Sequence, residues 1–202
     1  MNNKQLCFTR KSIASNRFLL WGLNMYDNNQ ELLDIVDHND QVIGQKYRTE
    51  IYAEKSTQFR VINAFLINSK KQLWIPRRSE HKKLFPLCLD MSVGGHVASG
   101  ESYEQAFIRE LKEELNIDAC QINYTLVAKL TPQQHKVSAY MHLYAIVTDE
   151  TPAYNIDDFV SASWVTIPEL EALLLKGEPT KSDLPILLNH LQTLHVSQAN
   201  LL

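Results

Sequence analysis

The sequence has few cysteines, no long apolar run and no large excess of charge of one sign. Its three cysteines, Cys7, Cys88 and Cys120, form no CxxC pair or other metal-ligand spacing, and an odd, scattered set favours free thiols in a reducing compartment. No segment approaches the roughly 20 apolar residues that a membrane span needs. The net charge of −3 gives no electrostatic reason to expect nucleic-acid binding. We therefore expect a cytoplasmic protein without nucleic-acid or membrane partners.

The 202 residues suffice for one domain with a sizeable core, and 45% of them are apolar, as in ordinary globular proteins. Residues 1–30 carry mixed signals, including a short helical pattern at 4–14, so we divide the chain into an N-terminal extension (1–30) and a domain (31–202). The pattern predicts strands at 31–36, 41–45, 59–67, 72–76, 122–129, 137–147 and 160–167, and a strand followed by a loop at 89–97. It predicts helices at 48–55, 102–115, 168–175 and 183–194. This order favours an α/β fold with a mixed sheet between helices.

The strongest helical segment carries an unusual cluster of carboxylates. Glu110, Glu113 and Glu114 lie at positions i, i+3 and i+4 and therefore share one face of the helix. Like charges at these spacings repel, whereas hard oxygen ligands gathered in this way suit Mg²⁺ or Mn²⁺. The opposite face is apolar and is expected to be buried (Ala106, Phe107, Leu111 and Leu115). A glycine-containing loop precedes the helix, and a backbone carbonyl there, at Gly94, is a candidate further metal ligand.

This segment resembles the Nudix box, G-x5-E-x7-R-E-U-x-E-E-x-G-U, in which U is an aliphatic residue. Asn116 stands where the family has its second glycine, and we expect it to end the helix in the left-handed conformation that asparagine tolerates. Agreement at so many fixed spacings makes the motif specific. The matching residues are Gly95, Glu101, Arg109, Glu110, Leu111, Glu113, Glu114 and Ile117.

The resemblance implies a Nudix α/β/α sandwich and hydrolysis of a diphosphate linkage in a small organic molecule. It implies that Glu110, Glu113 and Glu114 bind the catalytic Mg²⁺ or Mn²⁺, that Glu101 assists, and that Arg109 holds the glutamates in place. An activated water would attack one phosphorus atom. Nudix proteins are often dimers, so the resemblance also raises a homodimer as one assembly.

The stretch from Leu73 to Val97 also resembles type 1 isopentenyl-diphosphate isomerase, a Nudix relative that moves a double bond. The likeness extends over roughly residues 31–175 and is specific only from about 73 to 117. That enzyme needs a cysteine two residues before the position of His96, where this chain has Gly94. It also needs two upstream histidines, but residues 46–72 contain none, and Arg60 stands near the expected second one. Hydrolysis is therefore favoured, because glycine has no proton to transfer.

Four cations precede the motif, and a diphosphate would need such charges around its far oxygens. Similar positions in the isomerase contact its diphosphate, so we predict substrate contact by members of this cluster (Arg77, Arg78, Lys82 and Lys83). Asp158 and His135 are weaker candidates for an acid or base. Two further functions remain open. One is a catalytically silent module that senses a nucleotide, which has no need of a complete motif. The other is an RNA-processing enzyme, which the acidic net charge disfavours.

Overall fold

The structure is a computed structural model and describes residues 31–197, so the predicted helix at 4–14 lies outside the described residues. A hairpin comes first: β1 (Leu32–Val36) pairs antiparallel with β2 (Val42–Tyr47). Asp37 closes the turn between them, because its carboxylate accepts the backbone N–H groups of Asn39 and Gln41. The short helix α1 (Arg48–Ala53) follows directly. The predicted hairpin and helix are thus confirmed.

The main sheet is built around β3 (Arg60–Ile67). β7 (Tyr140–Val147) lies parallel to β3 along its whole length, and β5 (Val93–His96) pairs with it antiparallel over Val61–Ala64. The other strands extend the sheet by antiparallel pairing. They are β4 (Gln72–Arg78) next to β3, β8 (Phe159–Thr166) next to β4, and β6 (Asn123–Leu130) next to β7. The sheet is therefore mixed, as predicted.

Helices cover both faces of this sheet. On one face α2 (Tyr103–Leu115) packs against Ile62, Ala64 and Leu66 of β3. On the other face α4 (Ile167–Leu175) and α5 (Leu184–Ser197) pack against Phe65 and Ile67. Alternate side chains of β3 therefore pack into two separate hydrophobic cores, since side chains alternate between the two faces of a strand. The α/β class with a mixed sheet between helices is confirmed, and α2 is held against the sheet by its apolar stripe.

Some local features differ from the predictions. The structure adds a 3-10 helix, Ala119–Gln121, and a four-residue helix α3, Pro132–His135, both too short to show helical periodicity. Cys120 is disulfide-bonded, so the expectation of free thiols is wrong for this residue, while Cys88 is free. Pairing depends on which side chains the fold brings together, and sequence spacing does not reveal that. Among residues 31–197, no helix is long and apolar enough to cross a bilayer.

Candidate active site

The glutamate motif and the residues just before it form strand β5, a loop and helix α2. Ser102 caps α2, because its side chain accepts the N–H of Gln105, whose own side chain accepts the N–H of Ser102. Asn116 ends the helix with φ 55° and ψ 22°, which confirms the predicted left-handed residue. The burial of Phe107 and Leu111 fixes the rotation of the helix. As a result, the glutamate face turns towards β5 and the loop.

Arg109 connects the glutamates to the loop. Its Nε and one Nη donate to the two carboxylate oxygens of Glu101, both at 2.9 Å. Its other Nη donates to Glu110 at 2.6 Å and to Glu113 at 3.3 Å, and the backbone oxygen of His96 accepts a further hydrogen bond at 2.9 Å. The planar guanidinium is suited to such a fork of contacts, which a lysine could not reproduce. The structure therefore brings four of the predicted site residues together.

Glu114 is buried, and the side chain of Glu110 is only 13% exposed, although both carry ionisable groups. Burial raises the pKa of Glu110 to about 7, against the opposing charge of Arg109. Burial also raises the pKa of Glu114 well above its usual range, and the nearby charges of Glu110, Asp158 and Asp90 raise it further. Ionised carboxylates in such a place are unfavourable without a neutralising partner. Glu113, by contrast, has a 59% exposed side chain.

The two glycines of β5 allow the close approach of these carboxylates. The backbone N–H of Gly94 donates to a carboxylate oxygen of Glu114 at 3.0 Å. A Cβ atom at Gly95 would lie 2.0 Å from Cδ and Oε1 of Glu110. A side chain at Gly95 is therefore incompatible with the position of Glu110. The contact of Gly94 with the cluster is made through its N–H, and a role of its carbonyl as a metal ligand stays a prediction.

The hairpin holds the loop that precedes α2. Asp34, which is 7% exposed, accepts hydrogen bonds from the Ser99 hydroxyl at 2.7 Å and the Gly100 N–H at 3.1 Å. Gln45 donates to the same carboxylate at 3.3 Å. Although burial opposes it, this set of hydrogen bonds lowers the pKa of Asp34. The loop that leads to Glu101 is thus anchored by a residue that lies outside the motif.

We predict that Asp34→Asn destabilises the protein by about 1–3 kcal/mol at neutral pH, because the amide leaves one of these donors unsatisfied. A carboxylate with a lowered pKa stabilises the fold above its unfolded pKa, and this contribution is lost as the pH falls through its folded pKa. The difference between wild type and variant should therefore shrink between pH 7 and pH 3. Urea unfolding at both pH values measures it, and an equal difference at both would contradict the role of the charge.

His96 is enclosed by aromatic side chains. Its Nε2 lies 2.9 Å from the Tyr52 hydroxyl, and its ring stacks on Phe59 with 5.8 Å between the centroids. Nδ1 lies 3.5 Å from Glu31. Burial, together with the charges of Arg48, Lys181 and Arg109, lowers the pKa of His96 well below its usual value. His96 is thus a neutral, hydrogen-bonded structural residue, and its neighbours are tyrosine and phenylalanine.

The predicted basic cluster is divided among several acidic partners. Arg77 donates to Glu178 at 2.7 Å and to the backbone oxygen of Leu87. Arg78 donates to Asp90 at 2.6 Å, and Lys82 pairs with Asp158. Asp90 and Asp158 both lie close enough to Glu114 to raise its pKa. Their partners Arg78 and Lys82 therefore lie on the same side of the molecule as the glutamates. Lys83 is exposed.

Sequence reasoning missed several charged or polar residues near the glutamates: Glu31, Asn63, Asp90 and Lys181. Each comes from a different segment, so no spacing in the sequence could have joined them to the motif. His135, a weak candidate from the sequence, instead bonds to Thr131 and contacts the ring of His190. It therefore belongs to a different part of the described structure from the glutamate cluster.

The donor set fits a divalent cation. Within residues 31–197, no three His, Cys, Asp or Glu side chains are grouped as metal ligands; Arg109 donates to Glu110, and the Gly94 N–H donates to Glu114. However, Glu110 and Glu114 are hard oxygen donors whose burial disfavours the ionised form. A cation would remove that penalty.

Comparison with known proteins identifies the family. The NUDIX domain model matches residues 57–185, more than half of the chain, and the chain therefore belongs to the Nudix family. It is 55% identical over 154 residues to an uncharacterized Nudix hydrolase of Nostoc, covering 76% of this chain and 91% of that protein. The crystal structure of DR0079 from Deinococcus radiodurans has a TM-score of 0.76 at 45% identity, and covers 79% of this chain and 98% of that one. The Nudix fold is thus confirmed.

Isopentenyl-diphosphate isomerases are more distant relatives. The isomerase of Pectobacterium atrosepticum is 30% identical over 139 residues, which cover 67% of this chain and 76% of that protein. Both resemblances noted from the sequence are therefore confirmed. The higher identity lies with the Nudix hydrolases, and family membership implies hydrolase activity.

Proposed function

We propose that this protein is a metal-dependent hydrolase that cleaves a diphosphate linkage in a nucleotide or another organic diphosphate. The observation that carries the proposal is the cluster of buried Glu114, largely enclosed Glu110 and exposed Glu113, with Arg109 bonded to Glu110 and Glu113. A helix selected for stability alone would not gather three carboxylates and withdraw two of them largely from solvent. Mg²⁺ and Mn²⁺ are the cations that best suit such oxygen donors.

The glutamates would hold the cation, and the residues around them would keep them in place. Glu110, Glu113 and Glu114 are the proposed ligands, with Glu101 and the Gly94 carbonyl as further candidates. When bound, the cation would supply positive charge that stabilises the phosphoryl oxygens and acidifies water. Arg109 orients the glutamates through its hydrogen bonds to Glu101, Glu110 and Glu113. Positioning of this kind is the main contribution of a protein to phosphoryl chemistry.

The basic cluster is the proposed contact for the outer phosphate oxygens. Arg78 and Lys82 are half of it, and their carboxylate partners Asp90 and Asp158 keep them at the glutamate side. A diphosphate could exchange with these carboxylates without leaving a cation buried and unpaired. Arg77 and Lys83 complete the proposed cluster.

Isomerisation is the weaker proposal, despite the isomerase relatives. Gly94 carries no thiol, so the proton donor expected at this position is missing. His96 is bonded to the Tyr52 hydroxyl and stacked on Phe59, and burial keeps it neutral in an aromatic cage. Tyrosine and phenylalanine do not supply the imidazole ligands that the isomerase resemblance requires. These observations favour hydrolysis.

A panel of diphosphates tests the proposal. Purified protein is incubated with Mg²⁺ or Mn²⁺ and nucleoside di- and triphosphates, nucleotide sugars, ADP-ribose, dinucleotides or isopentenyl diphosphate. We expect metal-dependent release of a phosphate-containing product from at least one class, and no dimethylallyl diphosphate from isopentenyl diphosphate. EDTA provides the control. Double-bond isomerisation without release of phosphate would overturn the proposal, and tight nucleotide binding without turnover would favour a sensor.

A further inference from the structure

An open groove lies on the side of α2 that faces β6 and β7. It has a volume of about 600 Å³, which falls within the range of roughly 300–1,000 Å³ typical of small-molecule sites. Its walls come from the first turn of α2 and from both strands, and three of the residues that line it are tyrosines: Tyr103, Tyr124 and Tyr144. The groove is therefore large enough for a ligand with two fused rings.

The groove is separate from the glutamate cluster. β5 and β7 pair with opposite edges of β3, since residues Val61–Ala64 have a partner in each of the two strands. Glu114 bonds to Gly94 of β5, and the carboxylate of Glu110 lies against Gly95. The groove, in contrast, is lined by β6 and β7. A ligand in the groove would therefore lie on the other side of α2 from the proposed metal site.

Contacts within the fold hold the aromatic walls of the groove in place. The ring of Tyr103 stacks on His142 with 3.6 Å between the centroids, and its hydroxyl donates to Asp40 at 3.0 Å. Tyr144, which is 4% exposed, stacks on Phe107 with 4.4 Å between the centroids. A ligand would thus meet walls that are already ordered, which lowers the entropic cost of binding.

His142 brings unused hydrogen-bonding capacity to the groove. Burial, together with the charge of Lys129, lowers the pKa of its imidazole to about 4, so the ring is neutral at neutral pH. A neutral imidazole has one N–H donor and one acceptor nitrogen. Within residues 31–197, His142 contacts the rings of Tyr103 and Tyr144 but makes no hydrogen bond. A ligand that carries both a donor and an acceptor would satisfy this ring.

The lining of the groove favours a flat, uncharged ring with polar edges. The tyrosine rings and Leu126, which is 40% exposed, offer apolar contact, and Ser102 and Thr125 add hydroxyl groups. None of the described residues that line the groove is lysine or arginine, so its walls provide no cation for a phosphate group. A nucleobase combines a flat ring with N–H donors and ring-nitrogen acceptors, and proteins bind unpaired bases through aromatic contacts and hydrogen bonds to the base edges.

We propose that this groove is a second ligand site, which binds a purine base on the opposite side of α2 from the glutamate cluster. The base packs against the ring of Tyr124 and the side chain of Leu126, and its polar edge forms hydrogen bonds with His142. A nucleoside supplies this chemistry without any phosphate group. The site goes beyond the proposed hydrolysis and does not depend on it.

Adenosine tests the proposal, because it carries the purine base and has no diphosphate to be cleaved. It is titrated into ¹⁵N-labelled protein in EDTA, and the NMR signals of the protein are followed. We expect saturable shifts of the Thr125 and Leu126 amides and of the His142 ring, with a Kd below about 1 mM. Ribose, which lacks the base, should cause no such shifts.

Tyr124→Leu should raise the Kd for adenosine by about tenfold or more, because the contact between the base and the aromatic ring is lost. Tyr47→Leu is the matched control, since Tyr47 is a 48% exposed tyrosine of β2 that does not line the groove. Its affinity for adenosine should equal that of wild type.

Two results would overturn the proposal. One is the absence of saturable shifts in wild type. The other is adenosine binding that is lost in Glu114→Gln but kept in Tyr124→Leu, which would place the base at the glutamate cluster. If Tyr124→Leu unfolds, Leu126→Lys replaces it, because Leu126 is exposed and a charged side chain there removes an apolar wall of the groove. Wild-type affinity in the folded variant would equally contradict the proposed site.

Discussion

Glu114→Gln is expected to lower kcat by about 10²-fold or more while the protein remains folded. Glutamine has nearly the same shape, and its side-chain oxygen can still accept the N–H of Gly94. The variant lacks the negative charge that a divalent cation requires at this position. Steady-state kinetics with the substrate found in the panel, at saturating Mg²⁺, measures the loss.

The same variant should be at least as stable as wild type in the presence of EDTA. The folded-state pKa of Glu114 is raised by burial, so ionisation destabilises the metal-free fold as the pH rises above the unfolded pKa of the carboxyl. Glutamine removes this cost. We therefore expect the Tm of Glu114→Gln relative to wild type to be higher at pH 8 than at pH 5. A gain in stability that accompanies a loss of turnover is typical of substitutions at residues that are kept for function.

Glu104→Gln is the matched control, since Glu104 lies on the same helix but bonds to Tyr124 outside the glutamate cluster. Its kcat should stay within about threefold of wild type, as expected for a residue outside the reaction. Wild-type turnover in Glu114→Gln would contradict the assignment of this residue as a ligand.

Gly95→Ala is the second change with a large expected effect. The added Cβ would lie 2.0 Å from the Glu110 carboxylate, so Glu110 must move, and Arg109 with it. Displacement of a catalytic group by about 1 Å can cost 10²-fold in rate, and we expect a loss of that order in kcat/KM. Kinetics and thermal unfolding of the same sample separate loss of activity from loss of the fold.

Gly44→Ala provides the control for this substitution. Gly44 lies in β2, and an added Cβ there would meet no atom within 4 Å in the described part of the chain. Its activity and Tm should remain close to those of wild type. If Gly95→Ala were as active as Gly44→Ala, the position of Glu110 would not matter for the reaction.

The fold could be predicted largely from local patterns. The β1–β2 hairpin follows from alternating residues around a turn, and α2 from its apolar stripe and its cap. Even the left-handed end of α2 at Asn116 is predictable, because few other residues adopt that conformation easily. α3 and the disulfide of Cys120 were missed, since a single helical turn has no periodicity and a disulfide depends on tertiary proximity.

The candidate site also has one part that the sequence predicts and another that it does not. The glutamates and Arg109 lie within one motif, so their spacing predicts that they lie close together on the helix. The aromatic cage of His96 does not, because Tyr52 and Phe59 come from a helix and a loop far away in sequence. Lys181 and Asn63 meet above Gly94 only because the sheet and the segment before α5 bring them together. Contacts between segments that are distant in the chain cannot be predicted from local sequence patterns.

Hydrolysis requires attack of a water molecule on phosphorus, and isotopically labelled water tests this step most directly. The substrate from the panel is cleaved in H₂¹⁸O with Mg²⁺, and the products are analysed by mass spectrometry. Hydrolysis predicts one ¹⁸O atom in a phosphate-containing product for each bond cleaved, no labelled product in EDTA, and labelling about 10²-fold slower with Glu114→Gln. A metal-dependent product that has the composition of the substrate and carries no ¹⁸O would contradict it and indicate isomerisation.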